Sequence, residues 1–325
     1  MENLRPRFAL IILLAFCALL PFSSRAITLP GDVNNDNQVN ITDVTELITL
    51  LINGNVTDAA TITAADMNGN GQLDIADVTT LINLLINGTP AAVQKTLTVN
   101  GVSFTMIAVE GGTFTMGATA EEGNYARRNE YPAHEVTLSG YYIAQTEVTW
   151  ELWLAVTGGD PSNFDGDLQS PVVDVTLFDC AKFVDKLTEL TGKVFRMPTE
   201  AEWEFAARGG NGAIRYRYAG SDDIDQVAWY ADNSGGTVHA VATKAPNRLG
   251  IYDMSGNVLE WCQDWYYIYN EEPQTNPVGP ESGYSNVIRG GAWDYNAGAC
   301  HVTYRVGKDP HEMGPNLGLR MVMNM

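Results

Sequence analysis

Hydrophobic and polar positions follow several different periods along this chain of 325 residues. An apolar run covers Phe8–Leu20, and farther on two helical patterns repeat each other at 44–54 and 78–88. Between positions 96 and 107 apolar and polar residues alternate, and Asn100-Gly101 interrupts the alternation. Alternation on both sides of Asn-Gly predicts a β-hairpin, and we expect a new domain to begin there.

Two further helices are predicted in the second half of the chain. One covers Cys180–Thr191, and the other covers Ala201–Arg208, where Thr199 and Glu202 form a capping box. Beyond Arg208 the chain is rich in Gly, Asn and Tyr, with only short strand-like runs. These patterns predict an α+β domain dominated by ordered loops, preceded by a small all-α unit that contains the repeat.

The first 26 residues have the three regions of a secretory signal peptide. Arg5 and Arg7 precede the apolar run, and small polar residues end at Ala26, so we expect the mature chain to begin near Ile27. An apolar run of 13 residues is too short to span a bilayer, and no second one follows. We therefore expect secretion to the medium, a cell-surface assembly or the periplasm; a lipoprotein anchor at Cys17 is the alternative.

The composition is strongly acidic. The chain has 39 Asp and Glu against 19 Lys and Arg, a formal net charge of -20, which leaves no electrostatic footprint for nucleic acid. No basic residue stands between Arg25 and Lys95, so we expect the acidic repeat in that stretch to bind a cation. Without the signal peptide three cysteines remain, Cys180, Cys262 and Cys300, and an odd number leaves their pairing open.

The repeated unit carries oxygen-bearing side chains at the spacing of a calcium loop. Two segments related by an offset of 34 residues place such side chains at loop positions 1, 3, 5, 9 and 12, with a backbone carbonyl at position 7. The loops consist of Asp32, Asn34, Asp36, Gln38, Asn40 and Asp43, and of Asp66, Asn68, Asn70, Gln72, Asp74 and Asp77. Position 12 is Asp rather than the Glu of regulatory EF-hands, which argues against a calcium sensor.

The duplicated loop and helix resemble a dockerin, the calcium module that attaches a protein to a cohesin. The resemblance covers residues 31–88, and it implies that positions 10 and 11 of the loops, Ile41, Thr42, Ile75 and Ala76, contact the cohesin. The helices are apolar over more than one face, and leftover apolar surface on a small module favours a partner site. We expect a signal peptide at 1–26, a dockerin at 27–88, a linker at 89–95 and a large domain at 96–325.

Five phrases in the large domain resemble the formylglycine-generating enzyme or sulfatase-modifying factor family. They begin at Gly111, Arg196, Gly250, Arg289 and Asn316 and read GGTFTMG, RMPTEAEWE, GIYDMSGNVLEW, RGGAW and NLGLR. The resemblance implies a decorated C-type-lectin-like fold. It does not fix the function, since one fold hosts different chemistries.

The oxidases of this family hold copper with two thiolates after the Arg-Gly-Gly phrase. Counted from Arg289, the first family cysteine falls on Tyr295 and the second on Cys300, so one thiolate is missing. A phenol does not replace a thiolate toward Cu(I), and neither Cys262 nor His301 stands where the family places a ligand. Copper is therefore not expected, and Cys300 is the single candidate for a catalytic role.

The resemblance also implies calcium in the large domain. Asp253 and Glu260 would give side-chain oxygens, and Gly256 and Val258 backbone carbonyls, with a second family calcium near Asn233.

A ligand pocket is expected in the C-terminal segment, where Trp293, Tyr295, His301 and Asn316 mix aromatic and polar groups. The hypothesis is a secreted calcium-binding protein that is tethered to a cohesin-bearing scaffold. Its large domain then binds a glycan or protein, or acts as an accessory factor. The alternative is a formylglycine-generating oxidase that acts on a sulfatase cysteine through Cys300 in a polysaccharide-degrading system.

Overall fold

The computed structural model describes residues 31–34, 39–54, 59–67, 72–87, 93–119, 125–159, 166–211 and 215–325. The predicted signal peptide lies outside the described residues, as do Asp36, Gln38, Asn68 and Asn70 of the calcium loops.

The N-terminal unit contains three helices, α1 (Ile41–Asn53), α2 (Ala59–Ala65) and α3 (Ile75–Asn87). Helix α1 begins before the predicted apolar repeat because the Asn40 side chain caps it, and it ends at Gly54, whose φ is 65°. Leu47 of α1 and Leu81 of α3 are fully buried. These equivalent residues form the centre of a small separate core.

The large domain is built from short strands and four helices. The strands are β1 (Gln94–Val99), β2 (Val102–Val109), β3 (Gly112–Met116), β4 (His134–Leu138), β5 (Tyr141–Ala144), β6 (Phe195–Arg196), β7 (Leu259–Trp265), β8 (Gln274–Thr275), β9 (Asn286–Arg289), β10 (Arg305–Lys308), β11 (Leu317–Gly318) and β12 (Val322–Asn324). The helices are α4 (Trp150–Thr157), α5 (Leu177–Thr191), α6 (Glu200–Ala207) and α7 (Ile224–Val227). This is the mixed, loop-rich α+β architecture that the sequence predicts.

The strands form three sheets, with orders β1-β2-β5-β12-β6, β10-β9-β7-β11 and β3-β4-β8. The C-terminal strand β12 lies inside the largest sheet, antiparallel to both β5 and β6. The end of the chain is therefore part of the core sheet, because its backbone groups complete two ladders.

The predicted hairpin is confirmed. Strands β1 and β2 are antiparallel with Val99 opposite Val102, and the two turn residues Asn100 and Gly101 have φ values of 47° and 88°. Positive φ at both central residues is the geometry that Asn-Gly accepts most readily.

The two predicted helices of the large domain are also present. Helix α5 begins at Leu177, ahead of the predicted start, because Thr176 and Asp179 form a capping box. Helix α6 has the predicted capping box of Thr199 and Glu202. All eight of its residues have less than a tenth of their surface exposed, even though three of them are glutamates. A helix that is buried on all sides needs partners for its charges.

Candidate functional site

Each predicted calcium loop ends in the first turn of a helix, the first loop in α1 and the second in α3. The buried Asp43 carboxylate accepts hydrogen bonds from the backbone N–H of Asn34 at 3.1 Å and of Asn40 at 2.8 Å. In the second loop, the buried Asp77 carboxylate accepts from the N–H of Asp74 at 2.9 Å. The described donors are all oxygen atoms, which are the ligands that calcium prefers, so these residues fit the ion.

The expected cohesin-reading positions lie on the surface. Ile41 and Ile75 expose 68% and 72% of their surface at the N-terminal ends of α1 and α3, and Thr42 and Ala76 beside them are exposed. The fold thus brings these four residues to two equivalent helix starts. Apolar side chains that remain in water on a small module are available to a partner.

In the large domain, the three glutamates of α6 are paired with four arginines, of which Arg289 and Arg305 come from distant parts of the chain. Arg305 forms a two-pronged pair with Glu200, with distances of 2.6 and 2.7 Å, and Arg196 does the same with Glu202 at 2.7 Å. Glu204 is paired with both Arg208 and Arg289. These pairs satisfy the charges of the buried helix and explain why its phrase needs so many acids.

Glu260, an expected calcium ligand, also has protein partners. Its two carboxylate oxygens accept hydrogen bonds from Arg320 at 2.7 to 3.0 Å, and one of them accepts from the Trp203 indole at 2.6 Å. Both oxygens are engaged by protein donors. The structure therefore offers a competing role for Glu260, and a calcium ion bound by its carboxylate stays a prediction.

Asp253, Gly256 and Val258 lie in the same loop. The Asp253 carboxylate accepts from the N–H of Ala242 at 2.8 Å. Gly256 has a φ of 77°, and a Cβ there would lie 2.2 Å from the Trp229 carbonyl oxygen, so only glycine fits. Burial raises the pKa of Asp253 to about 6.

A third buried carboxylate near this loop, Glu147, was missed by the sequence analysis. It accepts from the Asn257 side chain at 2.8 Å and from the N–H of Val258 at 3.1 Å. Burial, followed by the charges of Asp253 and Glu260, raises its pKa well above the ordinary value. Three buried carboxylates beside the single cation Arg320 give this region an excess of negative charge, which protons or a cation would relieve. An isolated Glu on the turn before a helix gives no sequence signal for this role.

Asn233, the other expected calcium ligand, is used within the protein. Its side-chain oxygen accepts from the N–H of Tyr230 at 2.9 Å, and its amide donates to the Ala228 carbonyl at 3.0 Å. The neighbouring Ser234 carbonyl lies 2.7 Å from the ring nitrogen of His239. Calcium at Asn233 stays a prediction that must compete with these contacts.

Cys300 lies in a buried cluster with Tyr218 and Tyr230, and the half-buried Tyr295 packs against it. Its thiol is close to Gly291, where a Cβ would lie 2.7 Å from the sulfur. Burial raises the pKa of the Cys300 thiol to about 12, and burial also raises the pKa of the Tyr295 phenol. A raised thiol pKa disfavours the thiolate, which is the form that acts as a nucleophile.

The two alternative ligands for a metal at Cys300 are held elsewhere. Cys262 is buried in a different core cluster, which contains Trp203. His301 is buried, and its Nε2 lies 2.9 Å from a carboxylate oxygen of Glu130. The residues around Cys300 thus do not fit a two-thiolate copper site.

Glu130 and His301 belong to a small buried network. Glu130 also accepts from the Thr303 hydroxyl at 2.7 Å. Although burial raises the Glu130 pKa, the His301 contacts and the Thr303 hydrogen bond hold it below the ordinary value. His301 therefore faces the interior and is not part of an accessible pocket.

The remaining expected pocket residues lie together on the surface. The Trp293 indole donates to the Pro315 carbonyl at 3.1 Å, and the Asn316 amide donates to Asp294 at 2.9 and 3.0 Å. Tyr295 is half-buried, with its ring edge-on to that of Tyr304, which is buried. Trp293 and Asn316 thus lie near each other, His301 is in the interior, and a ligand pocket at these residues stays a prediction.

A separate cleft of about 420 Å³ was not expected from the sequence. Its wall contains Trp229 and His239, whose rings are stacked with centroids 3.7 Å apart. Lys244 covers the same indole at 4.1 Å from the ring centroid. The positions of these residues in long loops explain why no periodic pattern indicated the cleft.

Two searches give negative findings for the described part of the chain. It contains no helix that is long and apolar enough to cross a membrane. The same residues include no group of three or more His, Cys, Asp or Glu side chains placed to hold a metal ion.

Comparison with known proteins divides the chain into two parts. Residues 30–86 match the family model of the dockerin type I domain, and residues 92–325 match that of the sulfatase-modifying factor enzyme 1-like domain.

The relatives of the large domain carry different names. The chain is 31% identical to the chaperone protein LppX of Paenibacillus barcinonensis, over 68% of this chain and 90% of that protein. It is 28% identical to the formylglycine-generating enzyme of Streptomyces coelicolor, over 66% and 87%. The solved structure of variable protein 1 of Treponema denticola matches with 33% identity and a TM-score of 0.66, over 72% of this chain and 99% of that one.

Proposed function

The chain belongs to the sulfatase-modifying factor enzyme 1-like family and carries a dockerin type I domain, and from this premise we propose that it is a secreted, scaffold-tethered binding protein. Its dockerin holds calcium in two loops and docks on a cohesin. Its large domain then binds a glycan or protein ligand, or acts as an accessory factor, without oxidising a cysteine.

The environment of Cys300 carries this proposal. The thiol is buried and its pKa is raised to about 12, and the family's partner position holds the phenol of Tyr295. A Cu(I) centre of this family needs two soft thiolate ligands, and here the two positions hold one thiol and one phenol. The scaffold is retained while the pair that would do the chemistry is incomplete.

The dockerin loops support the tether. Asp43 and Asp77 accept equivalent backbone hydrogen bonds, so the described ends of the two loops match at the starts of α1 and α3. When bound, calcium supplies charge neutralisation for a segment that has no basic residue between Arg25 and Lys95. Ile41 and Ile75 are exposed at these helix starts and form the contact surface for the cohesin.

The oxidase question is decided by an aldehyde assay. The full chain is incubated with copper and a peptide that carries the sulfatase cysteine motif, and aldehyde is detected with a hydrazide probe and mass spectrometry. We expect no aldehyde from the wild type or from Cys300→Ser. Aldehyde that forms with the wild type and is lost in Cys300→Ser would replace the proposal with its alternative.

That alternative is a formylglycine-generating oxidase that uses Cys300 and an unorthodox second ligand. The retention of Cys300 at the position of the second family cysteine favours it. Metal analysis of the purified protein separates the two. Calcium without copper supports the binding protein, and one copper per chain supports the oxidase.

The tether is tested by cohesin pull-down. Binding should require calcium and should be lost in the double variant Asp43→Ala and Asp77→Ala. The matched control is Asp185→Ala, on the exposed side of α5, which should bind as the wild type does. Binding that persists in EDTA would contradict the calcium-dependent tether.

A further inference from the structure

The ten arginines of the described residues fall into two groups of five. Arg196, Arg208, Arg289, Arg305 and Arg320 are each paired with a glutamate. Among the residues that the structure describes, no carboxylate forms an ion pair with any of the other five, which are Arg127, Arg128, Arg215, Arg217 and Arg248. The chain has 39 acidic residues, yet these five arginines have no ion pair with any acid that the structure describes.

Two of these arginines are held on tyrosine rings. The Arg217 guanidinium lies 4.1 Å from the ring centroid of Tyr125, and that of Arg127 lies 4.6 Å from the centroid of Tyr304. Arg127 also donates to the Tyr304 hydroxyl at 3.3 Å. Stacking on an aromatic ring orients the planar guanidinium group, whose N–H donors bind anions in the plane of the group.

The two stacked pairs belong to one surface. Tyr125 and Arg127 are two residues apart on one loop, and the Arg217 carbonyl accepts from the N–H of Val302, two residues before Tyr304. The Tyr295 ring lies edge-on to that of Tyr304, with centroids 6.3 Å apart. We name Tyr125, Arg127, Arg217, Tyr295 and Tyr304 the arginine–tyrosine face.

Arg248 extends this surface on one side. It lines a small concavity together with Tyr216 and Tyr218. Burial lowers the pKa of the Arg248 guanidinium, and the phenol of Tyr216 is the group that opposes this effect. The side chain thus loses part of its hydration without gaining an acidic partner, a cost that a bound anion would offset.

The acids that the structure describes near the face have other partners. Asp222 accepts from the backbone N–H of Arg217 at 2.8 Å, and Asp294 accepts both hydrogen bonds from Asn316. Glu130 is directed to the interior, toward His301. No described carboxylate therefore neutralises the guanidinium groups of the face.

We propose that the arginine–tyrosine face binds an anionic polysaccharide, a chain of sugars with sulfate or carboxylate groups. Guanidinium forks match the geometry of both groups and form charge-assisted hydrogen bonds with them. Tyr125, which is 48% exposed, and the half-buried Tyr295 present ring surface to the apolar C–H faces of the sugars between the charges. An acidic peptide offers the charges without those flat faces. This inference rests on the proposed binding function and names its ligand class.

The test is affinity electrophoresis of the full chain in native gels that contain chondroitin sulfate, polygalacturonate, neutral dextran or poly-L-glutamate. We expect retardation by the two acidic polysaccharides, weakened by salt because the contacts are ionic. Arg127→Gln and Arg217→Gln should each weaken binding about tenfold, since each removes charge-assisted hydrogen bonds. Arg217→Lys keeps the charge and loses the fork, so it should be intermediate.

The matched control is Lys186→Gln, which removes one exposed charge on α5 and should leave retardation unchanged. Circular dichroism and thermal melting verify that each variant is folded. Binding to neutral dextran that is indifferent to both arginines would overturn this inference while leaving a binding function standing. Stronger retardation by poly-L-glutamate would assign the face to an acidic protein instead. Absence of retardation by either acidic polysaccharide would refute the ligand class.

Discussion

The stability of the large domain should fall as the pH rises toward 8 because of one buried carboxyl group, Asp264. This residue is 1% exposed, and it accepts from the N–H of Glu200 at 2.9 Å. Burial and then the charge of Glu200 raise the Asp264 pKa from its ordinary value of 3.8 to about 8. Between these pH values the folded protein holds a proton that the unfolded chain has released.

The sign and size of this change in unfolding free energy follow from proton linkage. A group whose pKa is raised by folding contributes to the unfolding free energy. This contribution is fully present below the pKa of the group in the unfolded chain, and it is lost as the pH rises to the pKa in the folded protein. Binding one more proton in the folded state gives a slope of about -1.4 kcal/mol per pH unit. From about pH 5 to pH 8 the loss is therefore about 4 kcal/mol, an order-of-magnitude figure.

The variant Asp264→Asn removes the titration and keeps an oxygen for the Glu200 N–H. Urea unfolding at constant ionic strength, followed by tryptophan fluorescence from about pH 5 to pH 8, should show its stability rising relative to the wild type by about 1.4 kcal/mol per pH unit. Asp174→Asn is the control, because Asp174 is only half-buried and burial raises its pKa modestly. If the wild-type and Asp264→Asn curves run parallel, the carboxyl is ionised in the folded protein and the reasoning fails.

Three further perturbations test the buried scaffold and the thiol. Arg305→Met removes both close hydrogen bonds from Arg305 to the buried Glu200 carboxylate and leaves it with the Tyr269 hydroxyl at 3.0 Å and Arg289 at 3.8 Å. It should cost about 3 kcal/mol of unfolding free energy in urea, whereas a cost under about 1 kcal/mol would mean that the pair is not buried in solution. Gly256→Ala places a Cβ 2.2 Å from the Trp229 carbonyl oxygen at a positive φ, so it should cost about 3 kcal/mol; a melting temperature equal to the wild type would contradict that packing. Cys300 should resist iodoacetamide in the native protein at about pH 8 and react in urea, because the thiolate is the nucleophile; rapid native labelling, mapped by mass spectrometry, would show an activated thiol.

Local features of the fold could be predicted from the sequence because their causes are local. The Asn100-Gly101 turn and the Thr199 to Glu202 capping box depend on residues within four positions of each other, and both are present in the structure. The pairs of α6 could not be predicted in the same way. Arg305 and Glu200 are 105 residues apart, and nothing in their local sequences indicates which glutamate each arginine meets.

The candidate site follows the same division. The spacing of the calcium loops gave the positions of Asp43 and Asp77 at the helix starts, since the loop motif is itself local. The exposure of Tyr295 and the inward direction of His301 depend on how the last third of the chain packs. The sequence does not contain this information, and both residues were therefore expected in one pocket. Glu147 was missed because its role is set by contacts with residues about 110 positions away.

The residues that carry the family resemblance are largely those that hold the scaffold together. Arg289 pairs with Glu204 and Arg320 with Glu260, and each of these four phrase residues is fully buried. Replacing either member of the Arg320–Glu260 pair would leave a buried charge without its ion-pair partner, so this pair serves the fold rather than a particular ligand or reaction. Similarity in these phrases therefore reports the fold, and it is expected among proteins of different activities. Activity depends instead on surfaces that the phrases leave free. In this chain the proposed arginine–tyrosine face is such a surface, whereas Cys300 is buried.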